Sequence, residues 1–109
     1  YACADMPADL VDCSVSRGAR GIVIAGDGNG NMNAATIASA SRAAAQGTVI
    51  VRSSRVPTGT VSRNVEIDDD RHQFVVSDEL NPAKARILLM LALVRDRSLD
   101  ALQQLYYAY

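Results

Sequence analysis

The chain is poor in the groups that make an enzyme self-sufficient: its 109 residues include one histidine, His72, and two cysteines, Cys3 and Cys13. A serine or threonine hydroxyl becomes a nucleophile only beside a base. His72 follows Asp68, Asp69, Asp70 and Arg71, an acidic run that reads as a solvated face, since one imidazole with adjacent carboxylates lacks ligand geometry. The two cysteines fit no zinc spacing, which calls for a second pair of Cys or His ligands. They read as ordinary thiols, with a disulfide left open because sequence does not fix Cβ geometry. No complete catalytic constellation and no metal site is legible.

Strong charge of either sign is missing too. With 11 basic against 12 acidic residues the formal charge is -1, which argues against nucleic acid or an anionic membrane as the main partner. The basic cluster at residues 52–55 is too short to change that. The longest apolar run, residues 87–94, falls well short of the roughly 20 residues needed to span a bilayer and reads as a buried helix. The sequence opens at Tyr1 without a basic-then-apolar signal segment, and the expectation is that targeting was removed with a larger N-terminal part or is not needed. Internal repeats and low-complexity segments are absent.

What is present suits one folded domain, because 49% of the residues are apolar and the length supports a single core. Asp5, Met6 and Pro7 predict a helix start, with Leu10, Val11 and Val15 on its apolar side and Gly18 at its stop. Residues 21–25, GIVIA, are a continuous apolar run rich in β-branched side chains, the pattern of a strand buried on both faces. A polar glycine loop follows at residues 26–31. Residues 33–46 are alanine-rich, with Ala34, Ile37, Ala38 and Ser41 at helical spacing, and residues 48–51 form a second buried strand. Strand, helix, strand within about thirty residues is a βαβ unit with parallel strands and a right-handed crossover.

Residues 52–73 then read as a long irregular stretch, a kind of segment that is usually functional or disordered. Phe74, Val75 and Val76 make a third short strand. Asn81 and Pro82 open a helix running to about Arg95, and Ser98 caps a last helix with Leu99, Leu102, Leu105 and Tyr106 on one face. Together these elements predict an α/β fold: a three-layer α/β/α domain with a small, mostly parallel sheet.

In parallel α/β sheets ligands sit beyond the carboxyl ends of the strands. The loops after the first two strands should therefore share one edge, although they are distant in sequence. In the first loop, three alternating glycines let backbone N–H groups approach a ligand, and Asn29 and Asn31 can donate and accept. A dinucleotide fingerprint fails at Asn31, where glycine is needed, and a phosphate-binding loop fails for want of Gly-Lys-Ser/Thr. Asp27, Asn29 and Asn31 imitate the opening of a calcium loop, but Met32 and Ala38 occupy its glycine and bidentate-acid positions. A turn that asparagine and glycine simply make well is the plain alternative. The second loop carries Arg52, Ser53, Ser54, Arg55, Thr58, Thr60 and Glu66.

Three ordered segments, GIVIAGDGNGN at residues 21–31, VRSSRVPTG at 51–59 and LNPAKARILL at 80–89, together resemble the C-terminal domain of bacterial type II L-asparaginases and glutaminase-asparaginases. The likeness covers essentially the whole chain, residues 1–109, down to the aromatic-ended tail; the two cysteines depart from the pattern. It implies a strand just before Tyr1. It also implies an amidohydrolase that converts L-asparagine, and often L-glutamine, to the acid and ammonia without a cofactor, as a periplasmic or secreted homotetramer. In that family a threonine nucleophile lies in an N-terminal domain with Thr-Gly-Gly-Thr and His-Gly-Thr-Asp-Thr segments, which are absent here, so no catalytic residue is expected in this chain. The resemblance assigns substrate positioning, in a neighbouring subunit's site, to Asn31 and Glu66. The competing expectations are a non-catalytic binding or assembly domain using the same edge and, more weakly, a calcium module.

Overall fold

The β-branched runs of the sequence build the centre of the molecule. In the computed structural model, which describes residues 1–109, β1 (Gly21–Gly26), β2 (Val49–Ser54) and β3 (Phe74–Val76) lie side by side in that order. Both pairings are parallel, with Gly21 opposite Val49, Gly26 opposite Ser54 and Ile50 opposite Phe74. Successive strand residues face opposite sides, so Ile50 and Phe74 enter one core while Val51 and Val75 enter the other. Two apolar faces require two helical layers, and the predicted three-layer α/β/α arrangement is what forms.

One layer holds α1 (Asp9–Ser16) and α2 (Ala34–Ala45). Their small residues Ala40, Ala43 and Ala44 lie close on Ile24, Ile50 and Phe74. The buried stripe of α2 is Thr36, Ser39, Ala40, Ala43 and Ala44, whereas Ala34 and Ala38, expected to face the sheet, are exposed. A helix of near-uniform alanine offers little polarity contrast to set its rotation. The predicted start of α1 is also displaced: Asp5 has φ 57, in the left-handed region, and the helix begins at Asp9 behind Ala8, whose side chain makes no cap. Val11 is buried there, but Leu10 is 56% exposed.

The other layer holds α4 (Pro82–Ala92) and α5 (Leu99–Ala108), started by Asn81 and Ser98 side chains that accept from Lys84 N and Ala101 N. Here the expected buried helix is corrected. Only Ala85, Leu89 and Ala92 of α4 are buried, while Ile87, Met90, Leu91 and Val94 are 54–78% exposed. A helix apolar at nearly every position can turn just one stripe to a sheet.

The long stretch after β2 is less irregular than its sequence suggested. β2 continues through Ser54, a short α3 (Asp69–His72) follows, and Val61 bridges to Asp78. At the far edge of the sheet, the Gln103 side chain accepts from Val76 N at 2.9 Å and donates to Val76 O at 3.1 Å. Arg63 donates to Phe74 O at 2.8 Å. These side chains occupy edge groups that would otherwise be open to strand addition.

Candidate functional site

β1 and β2 run parallel and in register, so the chain leaves both at the same end of the sheet. After Gly26 the first loop folds back on itself: Asp27 N donates to Asn31 O at 3.0 Å, and Asn31 N to Asp27 O at 2.7 Å. Two glycines are indispensable to that turn. A Cβ on Gly26 would fall 2.4 Å from Asn31 O, and Gly30 has φ 74, with a Cβ position 3.1 Å from Val61 Cγ1.

The loop is then fastened to the segment following β2. Asn29 Oδ1 accepts from Ser62 N at 2.6 Å and its Nδ2 donates to Ser62 O at 3.4 Å. Beneath it lies Arg52, fully buried on β2. Its Nη1 donates to Asn29 O at 2.6 Å, with Gly30 O at 3.5 Å, and its Nη2 donates to Ser62 O at 3.2 Å. Asp69, also fully buried, receives Arg52 Nε at 2.6 Å, Nη2 at 2.8 Å and Asn64 N at 2.8 Å. Every face of the buried charge pair is therefore met, as a charge withdrawn from water requires.

Arg52 and Asp69 correct two expectations. Arg52 belongs to β2 and is fully buried rather than opening an irregular stretch, and the acidic run is not one solvated face. Asp68 caps α3 by accepting from Arg71 N, Asp69 is interior, and Asp70 binds Arg63 and Asn64 at the surface. Hydrogen bonds from Arg63 first, then Asn64, hold the Asp70 carboxyl below its ordinary value of 3.8. A register argument would have exposed Arg52: extending β2 to match all six residues of β1 puts it inside the sheet. Gln103 left no such signal, because a glutamine on a helix face is ordinarily solvated.

With the loops joined, Asn31 Nδ2 donates to Glu66 Oε2, and the structure brings together these two sequence-predicted residues. Asn31 is half-buried and Glu66 exposed. The Glu66 oxygens keep accepting capacity that a cation can use. Asn31, Asp27, Asn33, Arg55 and Cys3 line a cavity of about 300 Å³ beside the pair, with Asp27 and Arg55 3.6 Å apart. A larger cavity of about 600 Å³ lies elsewhere, between α4 and α5, lined mainly by apolar side chains such as Leu80, Leu88 and Leu105 together with Lys84, Arg97 and Tyr109.

The serine hydroxyls at the end of β2 are engaged with backbone groups. Ser53 Oγ donates to Leu80 O at 3.0 Å, and Ser54 Oγ accepts from Val56 N at 3.1 Å. His72 meets Ser41 of α2, 3.1 Å from its Nδ1, and stacks on Phe74. Cys3 and Cys13 are free and exposed. The calcium-loop imitation is weakened by the same geometry, since Asn29 Oδ1, the oxygen that would ligate, accepts from Ser62 N.

Fold and loop chemistry define a class: a parallel α/β domain that presents an amide and a carboxylate at the carboxyl edge of its sheet. Residues 1–106 match the Glutaminase/Asparaginase C-terminal domain, and the chain belongs to that family. It is similar to the probable L-asparaginase periplasmic of Haemophilus influenzae, at 45% identity over 106 residues, 97% of this chain and 30% of the relative. It is similar to L-asparaginase 2 of Escherichia coli, at 44% over 106 residues with the same two coverages, 97% and 30%. The glutaminase-asparaginase of Pseudomonas fluorescens is 36% identical over 110 residues, 100% of this chain and 30% of the relative. The chain thus spans about 30% of the length of these curated relatives. No helix is long and apolar enough to cross a membrane.

Proposed function

We propose that this domain supplies the part of an amidohydrolase site that receives the amino end of L-asparagine or L-glutamine, with Asn31 and Glu66 as substrate-binding residues. The observation that carries this reading is the Asn31–Glu66 hydrogen bond across two loops of one sheet edge. An amino-acid substrate brings an α-ammonium, and a carboxylate held by a neutral amide keeps its own charge for accepting from it. The α-carboxylate is repelled by Glu66, so the pair also orients the substrate end for end. The family and the names of its relatives support the substrate class.

Bond cleavage belongs, in this reading, to a nucleophile-bearing domain preceding Tyr1, and the half-site completes the active site of a neighbouring subunit in a homotetramer. The location is periplasmic or secreted, in keeping with one relative's name. Binding of the ammonium is the same in ground and transition states, so its loss falls on KM more than on kcat.

In the enzyme carrying both domains, Glu66→Ala should raise KM for asparagine roughly 10–100-fold, the loss of one charge-assisted hydrogen bond. Unchanged kinetics would remove Glu66 from the site. Calorimetry distinguishes the binding-domain alternative: micromolar binding of aspartate to the 109-residue chain without a partner favours that alternative over a half-site.

A further inference from the structure

We propose that Arg52 and Asn29 are positioning residues for the Asn31–Glu66 pair, acting as a two-part latch that sets where those side chains stand; this rests on the half-site reading. Neither residue is placed to touch a substrate. Arg52 is fully buried on β2, and the Asn29 side chain is consumed by the Ser62 backbone.

The latch follows from how the bonds are distributed. Asn31 belongs to the loop after β1 and Glu66 to the segment after β2, so their meeting requires the two pieces to be held in fixed register. The Arg52 guanidinium spans them with separate nitrogens, Nη1 on Asn29 O and Nη2 on Ser62 O. Asn29 spans them again from above, through both atoms of its amide to Ser62. Asp69 fixes the plane of the fork by taking Nε and Nη2 together. It also accepts from Asn64 N, two residues before Glu66, so the loop segment leading to Glu66 is tied to the same carboxylate. Gly30 completes the fit, because a Cβ there would lie 3.2 Å from Arg52 Nη1.

A planar fork with fixed donors does what a flexible ammonium does not: it satisfies a carboxylate and two carbonyls in three directions at once. Lysine in place of Arg52 keeps the charge for Asp69 but reaches one loop at a time. The two loops then lose their common register while the ion pair, and with it the interior, stays neutralised.

The test is ammonia release by the enzyme carrying both domains, with Glu66→Ala as the reference. Arg52→Lys is expected to raise KM for asparagine about tenfold with kcat within about twofold, the pattern of weakened uniform binding. Asn29→Ala, which leaves the buried pair untouched, is expected to raise KM in the same sense by about threefold to fivefold. A merely structural role would lower the melting temperature and the active fraction without splitting KM from kcat. If Glu66→Ala raises KM but Arg52→Lys keeps the wild-type value, the latch is refuted while the half-site stands. Should Arg52→Lys fail to fold, Asn29→Ala decides, and an unaltered KM there refutes the latch. If Glu66→Ala itself has no effect, the half-site reading and the latch fall together.

Discussion

The carboxyl edge of the sheet and the α4–α5 layer are held by opposite means. At the edge, a buried arginine, a buried aspartate and an asparagine join two loops almost entirely through hydrogen bonds. In the layer, Leu89, Ala92, Leu102 and Tyr106 pack on Val51 and Val75. Apolar contact is non-directional and tolerates rearrangement; a charged fork is directional and fails abruptly when a partner goes. A site that must hold two side chains in register is better served by the second kind of bonding. A scaffold needs only the first.

The largest expected effect breaks the edge. Asp69→Ala leaves Arg52 charged, buried and unpaired, and should cost about 3–5 kcal/mol in urea unfolding. Next comes the layer: Leu102→Ala, at a position 1% exposed, should cost about 3 kcal/mol yet leave substrate KM unchanged in the folded fraction. If the packing variant moved KM as strongly as the edge variants, the division of labour would be wrong.

A smaller effect sits where the layer borrows a polar bond. Tyr106 Oη donates to Ala85 O at 2.8 Å, so Tyr106→Phe should cost about 1 kcal/mol. Burial raises the Tyr106 pKa above its ordinary 10.0, so the protonated form is favoured by folding. That contribution is complete below pH 10.0 and is lost as pH rises through the folded value; an alkaline melting series on Tyr106→Phe should lack this component. The smallest effect is at the solvent side of the edge. The Asp70 pKa is lowered from 3.8, so its contribution is present above 3.8 and lost as pH falls through the lowered value. Asp70→Asn should flatten stability against pH in that acid range, its small loss being present at neutrality and vanishing as pH falls through the lowered value.

Legibility in the sequence divided along the same line. The strands, the βαβ crossover and the caps at Asn81 and Ser98 were readable because each depends on local pattern. The shared edge of residues 26–31 and 66 followed from parallel topology alone. The rotation of α2 was hidden by its monotony of alanine, and the exposed stripe of α4 by an excess of apolar residues. Arg52 and Asp69 were misread because each stands among like charges, Arg55 nearby and Asp68 and Asp70 alongside. Burial of one member of a charged run is decided by a distant partner, and composition carries no trace of it.

Asn29 is followed by Gly30, and a glycine N–H, unhindered by any side chain, is the readiest attacker of an asparagine carboxamide. Conversion of Asn29 to aspartate would replace its Nδ2 donor with a second oxygen facing Ser62 O, turning attraction into repulsion. Because both polar atoms of that carboxamide are bonded to Ser62, turning it toward the Gly30 nitrogen costs those two hydrogen bonds, and deamidation should run slower in the folded protein than in the unfolded chain.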